Sequence, residues 1–239
     1  MEAESRQKIQ IVLAIAIAVV AIRTGYILYD RYTESQPVKT EAPAPLNPDY
    51  YVTPKKLYPY DLKSAKQLTQ QPAWVKVGNS ITFYLFNEAT RRSDFSHEKG
   101  LLGPLQKLNI KNVVLDASPG SPDQKQIMAI FEDGGKEYSF PIGVFKNDNY
   151  TFYSDEMLFI QDPHQLYKHL SADIWTTIDQ HQLKPGMNEL QADFSVGLGI
   201  PQDSGDSSMK TVSYANNGKP LMVTYNNGKI TDVKPGSRS

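Results

Sequence analysis

Four histidines are the residues of this chain best suited to acid–base or metal chemistry: His97, His164, His169 and His181. His164 and His169 are five residues apart, so on one helix their side chains would diverge by about 140° and could not chelate one ion together. His169 and Asp173 are four residues apart, which suits a ligand pair or an acid–base pair on a continuous helix. Ser171 between them is a typical helix N-cap, which would interrupt that helix. The spacing therefore favours surface or capping histidines over a metal site.

Other catalytic motifs are also missing from the sequence. The chain contains no cysteine, which excludes a thiolate metal site, a cysteine nucleophile, a disulfide framework and a lipoprotein anchor. No Gly-x-Ser-x-Gly elbow occurs, and the stretch DASPGSPDQK (116–125) lacks the spacing of a phosphate-binding loop. The acidic stretch QDSGDSS (202–208) lacks the alternating ligands and the distal glutamate of a calcium loop. We expect no enzymatic activity, no metal and no cofactor.

Charge and composition narrow the class of protein further. The 239 residues carry a net charge of −1, and their lysines and arginines are scattered along the chain. Nucleic-acid binding requires a concentrated basic surface, so we expect no nucleic-acid partner. Hydrophobic residues make up 40% of the chain, enough for one sizeable domain or two small ones with real cores.

The elements that would position any site begin with an apolar amino-terminal segment. Residues 9–29 are apolar except for a few positions such as Gln10 and Arg23, and about 20 such residues can cross a bilayer as a helix. We predict an uncleaved transmembrane signal anchor here, after a cytoplasmic tail of residues 1–8, with Tyr26 and Tyr29 at the interface. The resulting location is a single-pass inner-membrane protein with its globular part in the periplasm. A cleaved signal peptide is the alternative, although no small-x-small cleavage site follows at the right distance.

A proline-rich segment follows, over residues 30–56. The stretch TESQPVKTEAPAPLNPDY (33–50) has four prolines and almost no large apolar side chain. Such a composition cannot bury enough surface to fold, and proline favours extended backbone. We predict a spacer.

Residues 57–154 have the pattern of a β-rich domain. Short runs rich in Val, Ile, Phe and Tyr alternate with turn residues, and no long helix lies between them. Gly134 and Gly135, after Asp133, are suited to a tight hairpin turn. We predict a small antiparallel β barrel or sandwich.

Residues 155–236 have the pattern of an α+β module. Asp162 before Pro163 is a regular helix start, and Ser171 begins a second helix that carries Trp175 on its apolar face. Two Asn-Asn-Gly turns then separate three alternating runs, which predicts a three-stranded meander. The whole chain is thus expected to be α+β, with an amino-terminal transmembrane helix, a small barrel or sandwich, and helices followed by a meander.

A short helix lies between Gly186 and Gly197. Met187, Leu190 and Phe194 would share one face, and Glu189 would lie in the first turn, where the helix dipole favours a negative charge. Gly197 and Gly199 are candidates for the left-handed cap, and Pro201 prevents the helix from continuing.

This arrangement resembles the BamE-like (SmpA/OmlA) domain over residues 172–234. The resemblance is carried by a Gly-Met followed by Glu and Gln, a glycine eleven residues after the first, a nearby proline, and a closing strand pair: Gly186, Met187, Glu189, Gln191, Gly197, Pro201 and residues 223–233. It implies an interaction module of the cell envelope with no catalytic residues. The chain departs from the family in lacking a lipobox cysteine and in the longer GLGIP stretch before Pro201.

We therefore hypothesise a noncatalytic protein-binding or scaffold module whose partners are envelope proteins. Candidate contact residues are aromatic and apolar positions on the meander and its neighbouring helix, together with two tyrosines at the end of the spacer: Trp175, Tyr214, Met222, Tyr225, Tyr58 and Tyr60. Meander residues can equally belong to the core, because alternation does not tell which parity faces outward. The alternative is a sensor domain that binds a small molecule or a glycan in a pocket lined by Trp74, Phe83 and Tyr138.

Overall fold

The structure, a computed structural model, describes residues 2–35, 48–76, 81–202 and 209–236; within 2–35 it describes the side chains of residues 15 and 17–32. It divides the chain into two compact units, residues 1–47 and 48–239.

The helices are α1 to α6, and three 3-10 helices accompany them: α1 Glu2–Ser35, α2 Leu62–Ala65, α3 Ser154–Met157, α4 Pro163–Leu166, α5 Ala172–Asp179 and α6 Glu189–Val196, with 3-10 turns at Pro48–Tyr51, Lys66–Gln70 and Asn216–Gly218. The strands are β1 Ala73–Val75, β2 Ile81–Asn87, β3 Arg92–Leu102, β4 Lys107–Leu108, β5 Ile110–Ala117, β6 Gln124–Asp133, β7 Lys136–Lys146, β8 Asn149–Phe152, β9 Leu158–Phe159, β10 Gly199–Gln202, β11 Met209–Tyr214, β12 Leu221–Asn226 and β13 Lys229–Pro235.

The first unit contains the helix α1, which corrects one prediction. Within the part of the chain that the structure describes, we find no helix whose length and apolar character would suffice to cross a membrane. Arg23, Asp30 and Arg31 interrupt the apolar run among the described side chains of α1. The predicted transmembrane anchor at residues 9–29 and the single-pass inner-membrane location are therefore wrong on this finding. Side chains 9–14 and 16 of that span, and residues 36–47 of the predicted spacer, lie outside the described residues.

The second unit begins with a large antiparallel sheet in the strand order β3-β2-β7-β6-β5, with β8 added beside β7. The predicted β6–β7 hairpin is confirmed, since Gly134 and Gly135 adopt positive φ angles between paired Asp133 and Lys136. The predicted small barrel or sandwich is wrong: six strands of this region form one sheet, and no backbone pairing joins its edge strands β3 and β5 among the described residues to close it. A side chain bridges them instead: buried Asp116 on β5 accepts the main-chain N–H of Ser93 on β3 at 2.6 Å.

A small three-stranded sheet, in the order β4-β1-β9, separates two hydrophobic cores. Successive side chains of a strand point to opposite faces. Ala73 and Val75 accordingly pack into the core beneath the large sheet, whereas Trp74 between them packs into the other core. Leu158 and Phe159 of β9 divide in the same way. This sheet is thus a wall that the two cores share.

The second core lies between the helices α4 to α6 and a four-stranded sheet in the order β10-β11-β12-β13. The predicted helix starts at Asp162 and Ser171 are confirmed, because each side chain accepts a main-chain N–H of the first turn. The predicted meander corresponds to β11, β12 and β13. A fourth strand, β10, extends it on the β11 side.

The helix predicted between Gly186 and Gly197 is confirmed as α6. Asn188 and Gln191 form a reciprocal capping box at its start, and Gly197 ends it with φ +94°. Before the helix, Gly186 donates its N–H to Ile230 O at 2.9 Å and Met187 O accepts from Ile230 N at 2.8 Å. Gly186 has φ +89°, and the turn it permits places Met187 fully inside the core.

Candidate functional site

The strand β10 is placed by the two glycines that surround Leu198. Gly197 ends α6 and donates its N–H to Asp193 O at 2.9 Å, which turns the chain back along the sheet. At Gly199 an added Cβ would come within 2.2 Å of Val212 Cγ1 and 2.7 Å of the Tyr214 ring. Only glycine therefore lets β10 lie this close to β11.

The outer edge of β10 is free among the described residues. β10 pairs in antiparallel register with β11 from Gly199↔Tyr214 to Gln202↔Thr211, and no described strand pairs with its other side. An edge strand presents unpaired main-chain N–H and C=O groups to solvent. Pro201 has no N–H, so in this register its main chain points away from β11, as does that of Gly199, whose N–H approaches Asp193 Oδ1 at 3.4 Å. The outer edge of β10 therefore offers main-chain carbonyl acceptors to an added strand.

Apolar side chains accompany this free edge. Leu198 is 57% exposed and Ile200 is 67% exposed. Ile200 stands opposite Ser213, which stands opposite Met222, so the three residues share the outer face of the sheet. The segment from Leu198 to Gln202 contains no charged residue. The edge thus combines main-chain hydrogen-bonding groups with apolar surface.

Two other sheet edges of the second unit, β3 and β13, are protected against added strands. β3 presents the exposed charged side chains of Glu98 and Lys99. β13 is partly covered where Gly186 and Met187 bond to Ile230. Charged side chains and covering segments are the usual means by which proteins keep sheet edges from pairing. β10 lacks charged side chains.

A polar cluster lies behind β10, on the core side of the sheet. The hydroxyls of Tyr214 and Tyr225 are 2.7 Å apart, and the Gly199 N–H approaches Asp193 Oδ1 at 3.4 Å. Burial raises the pKa of Asp193 to about 6, although its hydrogen bonds from Gly199 and Tyr214 oppose the shift. Lys210 Nζ donates to Glu189 at 2.7 Å beside this cluster. The cluster ties α6, β10 and β11 together.

The two phenols of this cluster are poor candidates for catalysis. Burial raises the pKa of Tyr225 to about 12 and that of Tyr214 further still. Both hydroxyls therefore remain protonated and bond to each other within the core. This hydroxyl pair joins β11 to β12 inside the core.

The structure places the predicted contact residues in different surroundings. Trp175, Tyr214 and Tyr225 are buried in the second core, so their side chains are not accessible to a partner. Met222 lies on the opposite, outer face of the sheet and is partly exposed. Leu198 and Ile200 were not among the predicted contacts, because Gly197 and Gly199 suggested a helix cap rather than a strand.

The other two predicted contact residues, Tyr58 and Tyr60, are exposed, with 68% and 78% of their surface accessible. They belong to an extended segment that follows the 3-10 turn Pro48–Tyr51. Val52 of this segment packs on the second core and Leu57 packs on the first. Asp49 holds its start, with Oδ1 2.6 Å from His169 Nε2 and Oδ2 accepting from Asn188 Nδ2 at 3.2 Å.

The histidines have structural partners in this fold. His169 contacts Asp49 rather than Asp173, and His164 lies between Asp162 and Asp179 at 3.1 and 3.3 Å. His164 also stacks on Trp175, with ring centroids 4.0 Å apart. Across the described residues, no group of three or more metal-ligating side chains is arranged to hold an ion.

The residues of the alternative sensor pocket do not converge. Phe83 and Tyr138 contact each other edge-to-face, with centroids 5.2 Å apart, against the first core. Trp74 packs against the second core, with Lys107 Nζ 5.6 Å from its ring centroid. These three side chains therefore line no common pocket.

Comparison of the chain with protein-family models, with curated proteins and with solved structures found no match in any of the three. The BamE-like resemblance accordingly stays a hypothesis.

Proposed function

We propose that this chain is a noncatalytic protein-binding module and that the outer edge of β10 receives an extended segment of its partner. The free edge of β10, with Leu198 and Ile200 beside it, is the observation that carries the proposal. Strand addition derives its affinity from main-chain hydrogen bonds and its specificity from alternate side chains. The BamE-like pattern, whose family members are interaction modules, favours the same class of function.

The expected ligand is short and has apolar residues at alternate positions. Four residues of β10 span about 13 Å, so the partner contributes a strand of similar length. Its apolar side chains would cover Ile200 and reach Met222 on the outer face. A contact of this size predicts a dissociation constant of roughly 1 to 100 µM.

Selection of linear peptides from a display library on the immobilised full chain tests this proposal. We expect enriched peptides with apolar residues at every second position. Ile200→Lys should weaken their binding by about tenfold or more, because burial of this side chain contributes about 1.5 kcal/mol. Leu101→Lys is the matched control, an exposed leucine on β3 of the other sheet, and should change affinity less than about twofold.

Methylation of the peptide backbone separates strand addition from simple apolar contact. N-methyl groups placed at alternate residues should abolish binding in one register and leave it nearly unchanged in the other, since only every second N–H faces β10. Equal effects in both registers, or equal losses with Ile200→Lys and Leu101→Lys, would refute the proposed edge.

A further inference from the structure

A second surface feature lies along β5, at the edge of the large sheet. A cavity of about 490 Å³ opens between β5 and the helical segment made by α2 and the following 3-10 turn. Its volume falls within the range of small-molecule sites. The floor is apolar: Leu62, Val114 and Leu115 line it as partly buried side chains, and Val113 beneath them is buried in the first core.

The rim of this cavity is basic. Lys63, Lys66 and Arg91 line it, and no acidic residue does. Lys66 and Arg91 form no ion pair with any residue in the described ranges. Lys63 interacts electrostatically with Asp61, whose carboxylate is also engaged by the Ser64 N–H at 2.7 Å. Positive charges thus converge on the cavity from two separate elements.

The remaining polar side chain of the lining is oriented as a donor. Asn112 Oδ1 accepts the N–H of Val113 at 2.9 Å, and the amide NH₂ group of Asn112 is available to donate to a ligand. All polar side chains of the lining therefore offer donors: two ammonium groups, one guanidinium and one amide. Such a set is complementary to an anion.

The basic elements are held firmly in place. Asp61 and Ser64 form a reciprocal capping box at the start of α2, and Ala65 and Leu68 anchor the helical segment in the first core. Lys63 and Lys66 are three residues apart, so they project from adjacent positions of one turn. The backbone that carries the two lysines is therefore preorganised, and only their exposed side chains would order when an anion binds.

A neighbouring cavity differs from this one in the charges of its lining. It has a volume of about 260 Å³ and shares Arg91 and Asn112, but Glu88 and Glu137 line it together with Lys111. Lys111 is already paired with Glu132 and lies 3.9 Å from Glu137. Charge is therefore balanced in the smaller cavity and unbalanced in the larger one.

From these observations we infer that the β5 cavity binds a small amphiphilic anion, in which a phosphate or carboxylate group meets Lys63, Lys66 and Arg91 and an apolar body covers Leu62, Val114 and Leu115. This site is separate from the β10 edge and does not depend on the function proposed for it.

Calorimetric titration of the full chain with octyl phosphate, below its micelle concentration, tests this inference. We expect saturable binding that weakens about threefold or more when salt rises from 50 to 200 mM. Inorganic phosphate should bind at least about tenfold more weakly, because it covers none of the apolar floor. Octylamine, which has the same apolar chain and the opposite charge, should not bind.

Charge-removing variants locate the site. The double variant Lys66→Gln/Arg91→Gln should lower the affinity for octyl phosphate about tenfold or more. Lys99→Gln/Lys229→Gln removes two exposed cations elsewhere and should change it less than about twofold. Methyl resonances of Val114 and Leu115 should shift during titration of the unaltered chain, which places the ligand without any variant.

Several results would overturn the inference. Absence of octyl phosphate binding, equal binding of octylamine, or unchanged affinity in Lys66→Gln/Arg91→Gln would each exclude an amphiphilic-anion site here. Tighter binding of an acetylated peptide of alternating glutamate and leucine would show that an acidic protein segment occupies the cavity, and would refute the small-molecule assignment.

Discussion

Two edge strands of this protein, β10 and β5, expose main-chain groups in very different surroundings. β10 is accompanied by exposed apolar side chains, and no side chain bridges its outer edge to another described strand. β5 is bridged to β3 through the buried carboxylate of Asp116 and is flanked by Lys63, Lys66 and Arg91. One edge is thus suited to an extended apolar segment and the other to an anion.

The difference shows that the surrounding side chains determine which kind of ligand a strand edge can bind. Strand edges invite pairing wherever charge and covering segments are missing. Around β5 the charges and the Asp116 bridge obstruct an incoming strand and leave a cavity instead. Asp116 maintains the bridge at the β5 edge, and Gly199 allows β10 to pack against β11. These two residues are therefore the ones to replace in testing the difference between the edges.

Replacement of Asp116 should remove the bridge between β5 and β3. It has the largest expected effect on the free energy of unfolding. Asp116 Oδ2 accepts from Ser93 N, and Oδ1 lies 3.3 Å from Arg92 Nη1. Asp116→Ala should lower the free energy of unfolding by about 3 kcal/mol, because the buried Ser93 N–H would lose its partner. Urea denaturation measures this loss. Asp94→Ala, at a partly exposed aspartate on β3, is the control and should cost less than about 1 kcal/mol.

Replacement of Gly199 should disrupt the close packing of β10 against β11. Gly199→Ala should destabilise the fold by about 2 kcal/mol, since the new Cβ would overlap Val212 and Tyr214 in the core. It should also weaken peptide binding, because β10 would be pushed away from β11. Gly103→Ala is the matched control: its nearest neighbouring atom is Gln106 Oε1, 3.9 Å from the added Cβ. Equal midpoints of urea denaturation for the two variants would contradict the close packing of β10.

A smaller effect is expected from Asp193, in the polar cluster behind β10. This carboxyl group should make the free energy of unfolding depend on pH. Burial raises the pKa of Asp193 from 3.8 to about 6 in the folded chain. The folded state therefore retains a proton that the unfolded state loses between about pH 4 and 6, so the free energy of unfolding falls as pH rises through this window.

Asp193→Asn should remove this slope. Above pH 6 it should raise the free energy of unfolding by about 1 kcal/mol, a value reduced from the full shift because water partly screens the carboxylate. Below about pH 4 the variant and the unaltered chain should be equally stable. Denaturation at pH 4 and pH 7.5 measures both, with Asp123→Asn at an exposed turn as control. A stabilisation of equal size at both pH values would exclude the proposed titration.

Local signals in the sequence predicted local structure well. The capped helix α6, the helix starts at Asp162 and Ser171, and the turn at Gly134 and Gly135 each depend on residues within a few positions of one another. Such interactions are encoded by neighbouring residues, although helices this short are stable only when packed in the fold. They located the elements that surround β10 without revealing β10 itself.

Features that depend on distant residues were not predictable in the same way. Barrel closure required β3 to pair with β5, and the bridge by Asp116 joins residues 23 positions apart. The inward direction of Tyr214 and Tyr225 depends on which sheet face the helices cover, and alternation is silent on this choice. β10 has four residues, too few for its alternation to be distinguished from a helix cap.

Hydrogen–deuterium exchange of the full chain, with and without the selected peptide, tests the central claim most directly. Strand addition predicts slower exchange at the main-chain amides of Ile200 and Gln202, because an added strand would suppress the local opening of the β10–β11 pairing in which they donate, and little change around Tyr58 and Tyr60. Slower exchange confined to residues 51–60, with β10 unchanged, would contradict the proposed edge and identify the tyrosine segment as the binding surface.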